Sequence, residues 1–214
     1  MAFSTSLIGR YHYLNALSAL GVVLEKPNFP TTSTCPLCRE NTLYLFDDAT
    51  THGIWLFCTA CKAHGDIITF GAQIWNTSLP DTIAKFVRLN AISAAKSERV
   101  TPDYCRFAEK VRAAEAFMST AEMQLWDHSD DIIACRLREL GLRYETPECH
   151  GLVGVAYHDQ IDELCRALSR KKLARIRARG AAIVYPFYDL PYRLTGLLIA
   201  QYTETYEMRH SFIT

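Results

Sequence analysis

The clearest pattern of hydrophobic and polar positions lies near the front of the chain and predicts a β-hairpin. Strand-forming residues fill 43–46 and 53–57, and the polar stretch 47–52 between them has the composition of a turn. Alternate side chains of a strand share a face, so Trp55 and Phe57 are expected on the same side of this ribbon. Two roles stay open for the aromatic side chains, namely packing against the following helix and exposure to a ligand.

The rest of the pattern predicts helices and a second hairpin. The apolar positions of 1–23 are interrupted by polar residues, as in a helix. Two β-rich runs, 182–188 and 194–200, flank a turn at 189–192. Helical periodicity in 103–126 is typical of a core-facing helix rather than a cofactor site, and it runs through Phe107, Val111, Ala114, Phe117 and Met118. These elements together predict an α+β fold.

Composition narrows the class of protein. The 214 residues are 49% hydrophobic and 21% charged, which is typical of an ordinary soluble globular protein with room for two small units. The chain has 23 lysine and arginine residues in total and 23 aspartate and glutamate residues in total. The net charge is therefore zero and does not indicate a polyanionic partner. No secretory signal and no apolar run of membrane-spanning length stand out, so we expect a cytoplasmic protein without a membrane partner.

Four cysteines have the spacing of a metal site. Cys35 and Cys38 form one CxxC pair, Cys58 and Cys61 form another, and nineteen residues separate the pairs. Two residues between cysteines allow a tight turn to aim both sulfurs at one ion, and two such turns complete a tetrahedral shell. We therefore predict one structural Zn²⁺ without an open coordination position.

Disulfide and redox roles fit these cysteines less well. A disulfide framework would suit a small secreted chain, and a redox CxxC usually occurs once, at the start of a helix. Four unrelated buried thiols would not account for the position of the pairs on either side of a predicted hairpin. His64 is an alternative ligand that the site does not need. The remaining cysteines lack ligand spacing and are expected to be ordinary thiols; they are Cys105, Cys135, Cys149 and Cys165.

The segment after Cys61 carries a second signature. Gly65 permits a turn that a side chain would hinder, and Asp66 can cap the helix that begins at Ile67 and runs to about Trp75. A Ser-x-Pro turn at Ser78 then opens another helix. A CxxC ribbon followed by this Gly-Asp helix resembles the zinc-binding domain of bacterial and phage DNA primases, over residues 7–90. That family usually has histidine where this chain has Cys38.

The resemblance implies a domain organisation. A primase-type zinc ribbon with flanking helices would occupy 1–95 and a helical connector 96–150. The first part of a primase-like polymerase core, a small α/β subdomain, would occupy 151–214. The residues 93–97 and 101–102 have the composition of the first boundary. A fainter likeness covers 132–142, a helix that would end at Gly141, and the strands on either side of 189–192.

The chain also departs from that family. Primases polymerise with a topoisomerase-primase (TOPRIM) domain whose carboxylates hold Mg²⁺, and these carboxylates are absent here, so we assign no catalytic residue. Mg²⁺ is expected only if such a domain is supplied elsewhere. Two family arginines correspond to Ala182 and to Ala200 or Gln201, and spacing alone does not show whether Arg193 or Arg209 replaces them.

The resemblance implies a single-stranded DNA template as partner, with a replicative helicase or a catalytic primase subunit as further partners. Such binding needs aromatic faces and cations. The candidates near the cysteines are Arg39, Tyr44, Trp55 and Lys62. A second group lies in 166–179, where seven cations occur without an acid, and its members include Arg166, Arg170, Lys171, Lys172, Arg175 and Arg177. A solvated helix is the alternative for that group.

Three hypotheses of function follow from the sequence. The first is the template-recognition part of a DNA primase that needs a TOPRIM domain for catalysis. The second is a non-catalytic, zinc-dependent nucleic-acid-binding or regulatory protein of a phage or mobile element. The third is a protein-interaction module in which the metal only stabilises a docking surface.

Overall fold

A computed structural model of the chain describes residues 8, 12–24, 28–48, 53–127, 137–139, 153–168, 182–191, 193–202 and 208–213. Internal contacts divide the chain into two units. The first comprises Met1–Ala108 with Leu190–Arg193, and the second comprises Glu109–Asp189 with Leu194–Thr214. Helices and two four-stranded antiparallel sheets make up the fold, which confirms the α+β expectation.

The first unit is built around the first sheet, whose strand order is β1-β2-β3-β4. Helix α1 precedes this sheet, helices α2 and α3 follow it, and helix α4 begins in this unit and ends in the second. The bounds are α1 Tyr13–Ala19, β1 Thr31–Ser33, β2 Leu43–Asp48, β3 Gly53–Cys58, β4 His64–Asp66, α2 Ile67–Trp75, α3 Leu79–Arg88 and α4 Ala94–Asp127.

Strands β2 and β3 form the predicted hairpin. They pair antiparallel from Leu43 opposite Cys58 to Asp48 opposite Gly53. Because side chains alternate, four apolar side chains share one face of the hairpin and are buried there, whereas Asp47, opposite Ile54, is exposed. The side chains that share this inner face are Leu43, Leu45, Ile54 and Leu56. The other face carries the aromatic residues, as the alternation predicts.

The inner face of the first sheet packs into the core of the first unit. Leu17 of α1, Phe70 of α2 and Phe86 of α3 are almost completely buried in the same cluster as the strand leucines. Burial of a side chain of this size contributes about 1.5–3 kcal/mol relative to its exposure to water. Within this cluster the helices therefore pack against the inner face of the sheet.

The turn from β4 into α2 has the geometry that its sequence predicts. Asp66 is the N-cap, and its carboxylate accepts a 2.8 Å hydrogen bond from the backbone N–H of Thr69. Gly65 has φ +144°, and a Cβ there would overlap the Thr69 hydroxyl. Ser78 likewise caps α3 by accepting from the N–H of Asp81. The expected start signals of both helices are confirmed.

The second unit contains the second sheet, with strand order β5-β6-β7-β8. The turn at Pro191 joins β6 to β7, which confirms the second hairpin. The Thr195 hydroxyl donates a 3.0 Å hydrogen bond to the Phe187 carbonyl across it. The bounds are β5 Gly154–Ala156, α5 His158–Ala167, β6 Ala182–Leu190, β7 Arg193–Tyr202 and β8 Met208–Ile213; residues 137–139 are helical as well.

The core of the second unit lies between α4, α5 and the second sheet. Phe117 and Met118 of α4 pack with Ile161 of α5 and with Leu197 of β7. Gly154 lets β5 approach α4 closely, since a Cβ there would lie 2.7 Å from the carbonyl carbon of Ala121. This close approach of β5 to α4 requires glycine, because any side chain at position 154 would overlap the backbone of α4.

Helix α4 differs in detail from its prediction. The periodicity in 103–126 is helical as expected, and Phe117 and Met118 are buried, but Phe107 is 42% exposed and Ala108 occupies the buried position beside it. Residues 94–97 and 101–102 of the predicted boundary lie inside the helix, with Pro102 on its exposed side. Within the described part of the chain, no helix combines the length and apolar character needed to cross a membrane.

Candidate functional site

The four cysteines lie on two turns of the same design, here called the cysteine turns and comprising residues 35–39 and 58–62. In the first, the N–H of Arg39 donates to the Cys35 carbonyl at 2.8 Å; in the second, the N–H of Lys62 donates to the Cys58 carbonyl at 3.0 Å. Arg39 and Lys62 both adopt the left-handed conformation, with φ 68° and 63°. Each turn thereby folds its second cysteine back towards its first.

The hairpin brings the two cysteine turns together. Leu43, just after the first turn, pairs with Cys58 at the start of the second, so both turns lie at the same end of β2 and β3. The four sulfur atoms all lie within 4.8 Å of one another. Cys35 Sγ is 3.9 Å from Cys61 Sγ, and Cys38 Sγ is 3.6 Å from Cys58 Sγ. The predicted ligands therefore form one cluster.

The sulfur distances fit a metal and not a disulfide. A disulfide needs about 2.05 Å between sulfurs, far less than either distance. A tetrahedral zinc ion with Zn–S bonds of about 2.3 Å needs sulfurs about 3.8 Å apart. The observed 3.9 and 3.6 Å agree with that edge length. The cluster is thus consistent with one structural zinc site.

The local environment gives the thiols of Cys35 and Cys58 very different pKa values. Burial raises the pKa of Cys35 to about 12, although the N–H groups of Cys38 and Leu37 oppose this effect. Burial alone would also raise the pKa of Cys58. Hydrogen bonds from the Cys61 N–H and the Thr42 hydroxyl outweigh burial there and lower the pKa to about 6. Because its pKa is lower, Cys58 presents a thiolate at neutral pH far more readily than Cys35 does.

Thr42 is a site residue that the sequence analysis did not identify. Its hydroxyl oxygen lies 3.2 Å from Cys58 Sγ, within hydrogen-bond distance for sulfur. The Thr42 carbonyl accepts from the N–H of Thr59, which fixes Thr42 beside the second cysteine turn. Groups that hydrogen-bond to metal ligands orient them and adjust their basicity. No spacing rule marks a threonine four residues after Cys38 for this role.

His64 does not belong to the sulfur cluster. Its Nδ1 lies 2.8 Å from the Lys62 carbonyl oxygen, so this nitrogen carries the proton and donates. Its ring lies beside Trp55 on the outer face of the first sheet, with ring centroids 6.1 Å apart. The group of metal-type side chains that the described residues bring together is the four cysteines. His64 is better described as part of the outer face.

The outer face of the first sheet is lined by rings. Tyr44 is 40% exposed and lies nearly parallel to Phe46, at 19° with centroids 6.4 Å apart. The register places Phe57 opposite Tyr44 and Trp55 opposite Phe46. We call the rings of this face the aromatic face; they belong to Tyr44, Phe46, Trp55, Phe57 and His64. Tyr44 and Trp55 are predicted contacts and Phe46 is not, although Phe46 lies two residues from Tyr44 on a predicted strand.

The members of the aromatic face differ in exposure. Phe57 is only 7% exposed, which supports packing rather than ligand contact for that ring. Trp55 is partly buried and already has partners within the first unit: its indole N–H donates to the Pro191 carbonyl at 2.9 Å, and the Arg193 guanidinium lies 5.6 Å from its ring centroid. Tyr44 is therefore the most accessible of the aromatic candidates.

The basic candidates fall into two groups. Arg39 and Lys62 are exposed and directly follow the second cysteine of each turn. Arg166 is exposed near the end of α5, and its Nε donates to the Asp162 carbonyl at 3.3 Å. The other members of the basic stretch lie outside the described residues, so their role stays a prediction; they are Arg170, Lys171, Lys172, Arg175 and Arg177.

Comparison with known proteins identifies no relative of this chain. No family model, no curated protein and no solved structure matches the chain. The resemblance to primases therefore depends on the motifs of residues 7–90. The features of the described residues that indicate a function are the four-cysteine cluster and the aromatic face.

Proposed function

We propose that Cys35, Cys38, Cys58 and Cys61 bind one structural zinc ion. The support is the convergence of four sulfurs on one point, with separations of 3.9 and 3.6 Å across the two pairs. Four protein ligands fill a tetrahedral shell and leave no position for a reacting water. Such an ion stabilises the fold, because it binds the arranged ligands of the folded chain far more tightly than those of the unfolded chain.

We further propose that the first unit binds single-stranded DNA, as the template-recognition module of a primase does. The observation that carries this proposal is the pair of nearly parallel rings of Tyr44 and Phe46 on the outer face of the first sheet. Two exposed cations, Arg39 and Lys62, follow the cysteine pairs at the ends of the cysteine turns. Bases of a single strand stack on aromatic rings largely without regard to sequence, while cations bind the phosphates. The inner face cannot serve this purpose, because it is buried in the core.

The position of the cations supports the same surface. Tyr44 is one residue beyond Leu43, whose partner Cys58 begins the second cysteine turn. The two turns that present Arg39 and Lys62 therefore lie at the end of the hairpin nearest to Tyr44. We expect both cations to attract the phosphates of a strand that stacks on Tyr44 and Phe46. The proposal concerns recognition, and primer synthesis would require a Mg²⁺-binding domain supplied elsewhere.

The test is binding of a fluorescent DNA oligonucleotide of about 12 nucleotides, measured by anisotropy over a range of salt concentrations. Tyr44→Ala should weaken binding by about 1–3 kcal/mol at every salt concentration. Arg39→Asn and Lys62→Asn should each reduce the dependence of affinity on salt. Arg88→Gln, which removes an exposed cation of α3, serves as the matched control and should change little.

The outcomes separate the hypotheses. Affinity for single strands that exceeds affinity for duplex and falls with salt supports template recognition. Preference for duplex DNA would instead favour a regulatory DNA-binding protein. Absence of any salt-dependent binding to a zinc-loaded, folded chain would contradict both and favour a protein-interaction module. Zinc content is measured first, so failure of the metal proposal is distinguished from failure of the nucleic-acid proposal.

A further inference from the structure

The four sulfurs of the cluster differ sharply in their access to solvent. Cys35 and Cys58 are completely buried, Cys38 is partly buried and Cys61 is exposed. Oxidants in solution reach an exposed thiolate far more easily than a buried one. Access alone therefore distinguishes Cys61 from the three other proposed ligands.

Hydrogen bonds reach both sulfurs of the second cysteine turn, and Cys61 Sγ accepts from the Ala63 N–H. Cys58 Sγ accepts from the Ala60 and Cys61 N–H groups and from the Thr42 hydroxyl. Donors of this kind withdraw electron density from a thiolate and make it a weaker nucleophile. Cys58 is thus both inaccessible and hydrogen-bonded, and it is poorly suited to react first.

Cys61 also has a thiol positioned to complete a disulfide. Cys35 Sγ lies 3.9 Å from Cys61 Sγ. A disulfide requires the two sulfurs to approach by about a further 1.9 Å. The cysteine turns supply the two atoms from opposite sides of the cluster, so this bond would join one turn to the other.

We propose that Cys61 is the oxidation site of the cluster and that hydrogen peroxide converts Cys61 and Cys35 to a disulfide. The Cys61 thiolate attacks one peroxide oxygen, the O–O bond breaks, and the departing hydroxide takes a proton to become water. Cys61 is then a sulfenic acid. The Cys35 thiolate attacks the Cys61 sulfur, the S–O bond breaks, and a second hydroxide leaves as water. The two sulfurs supply the two electrons that reduce the peroxide.

Oxidation at this position removes half of the cluster's ligands. The remaining pair, Cys38 and Cys58, cannot complete a tetrahedral shell, so the hold on a zinc ion is lost. The cysteine turns also position Arg39 and Lys62, and the reaction therefore couples oxidant to the arrangement of both cations. This inference rests on the proposed metal site and is independent of the proposed DNA binding.

The first test maps the reacting thiol in the zinc-loaded full chain. Substoichiometric hydrogen peroxide is added, sulfenic acid is trapped with a carbon nucleophile, free thiols are alkylated, and peptides are identified by mass spectrometry. The expected products are trapped Cys61 and a Cys35–Cys61 disulfide, with zinc release followed by a coloured chelator. A first disulfide of any other composition, or trapping first at another cysteine, would overturn the proposal.

A matched pair of variants supplies the second test. Cys61→His and Cys38→His each retain four potential zinc ligands, since imidazole is an ordinary ligand in such sites. Cys61→His should release zinc in peroxide at least about tenfold more slowly than the native chain, because it lacks the accessible thiolate. Cys38→His should release zinc at nearly the native rate. Equal rates in the two variants would contradict the assignment, and if either variant fails to bind zinc, the peptide map of the native chain decides.

Discussion

The hydroxyl of Tyr104 lies 2.7 Å from both carboxylate oxygens of Asp66, a residue 38 positions earlier in the chain. Asp66 also caps α2 through the Thr69 N–H. One carboxylate therefore joins β4, α2 and α4 within the first unit. Asp66 lies four residues after the second cysteine turn, so its contacts support the strand that follows the proposed metal site.

Tyr104→Phe should destabilise the first unit. The change removes the hydroxyl that donates to Asp66 and leaves a partly buried carboxylate without that donor. Loss of a hydrogen bond to a charged group costs about 1.5–3 kcal/mol. Chemical denaturation of the zinc-loaded chain measures the change. Tyr44→Phe is the matched control, because its ring is 40% exposed, and it should change the free energy of unfolding by less than about 0.5 kcal/mol.

The same pair predicts a loss of stability in alkaline solution. Burial, together with the negative charge of Asp66, raises the pKa of Tyr104 well above its usual range. The folded chain therefore keeps this proton after the unfolded chain has released its own near pH 10. The free energy of unfolding should fall as pH rises above about 10. Tyr104→Phe should lack this part of the decline, and an unchanged slope in that variant would contradict the assignment.

Acid should release the proposed zinc ion. The pKa of Cys35 is raised to about 12, so Cys35 carries a proton at neutral pH that metal binding must displace. Each displaced proton makes the affinity for zinc fall about tenfold for every unit that pH decreases. Calorimetry in two buffers of different ionisation enthalpy, at pH 6 and pH 7, measures both the affinity and the protons released. An affinity that does not depend on pH would argue against thiolate ligation.

Substitutions at Arg39 and Lys62 should separate backbone conformation from charge. Both residues have φ near 65°, a region that glycine and asparagine adopt readily and β-branched residues avoid. Arg39→Val and Lys62→Val should each cost about 1–2 kcal/mol of stability, whereas the Asn variants should be nearly neutral. Thermal unfolding of the zinc-loaded variants measures this. Equal losses for Val and Asn would show that the charge, and not the left-handed conformation, determines stability.

Gly154→Ala should destabilise the second unit. The added methyl would lie 2.7 Å from the Ala121 carbonyl carbon and 2.9 Å from the Glu122 nitrogen, both backbone atoms of a helix. Separation of β5 from α4 should cost at least about 2 kcal/mol. Gly21→Ala is an informative comparison, because it has open space around it but φ +76°. It should show only the smaller cost of a left-handed backbone.

Sequence patterns that involve residues close together in the chain predicted much of the first unit. The CxxC spacing indicated four ligands that the hairpin indeed brings together, and Asp66 was identifiable as a cap because capping depends on residues within one turn. The contact between Asp66 and Tyr104 could not be predicted in this way. It depends on how α4 packs against β4, and nothing in the sequence near either residue encodes that packing.

The aromatic face likewise depends on long-range contacts that local sequence patterns do not predict. Alternation along β2 and β3 was sufficient to place Trp55 and Phe57 on one side. It could not show that Pro191, 136 residues later, accepts the Trp55 N–H, or that Phe57 is buried while Tyr44 is not. Helix α4 gives a further example. Serine, alanine and proline at 93–102 suggested a boundary, yet Pro102 is accommodated in the helix with its ring exposed.

The pairing of Leu43 with Cys58 has a consequence for recognising similar chains. Both cysteine turns lie at one end of the hairpin, and the pair Asp48 and Gly53 lies at the other. Residues added to the sequence between Asp48 and Gly53, or added in equal number to both strands, should leave the positions of the four sulfurs unchanged. The number of residues between the two CxxC pairs is therefore a poor criterion for recognising related chains. Better criteria are the left-handed conformation of the residue after each CxxC pair and the Gly-Asp sequence that follows the second pair.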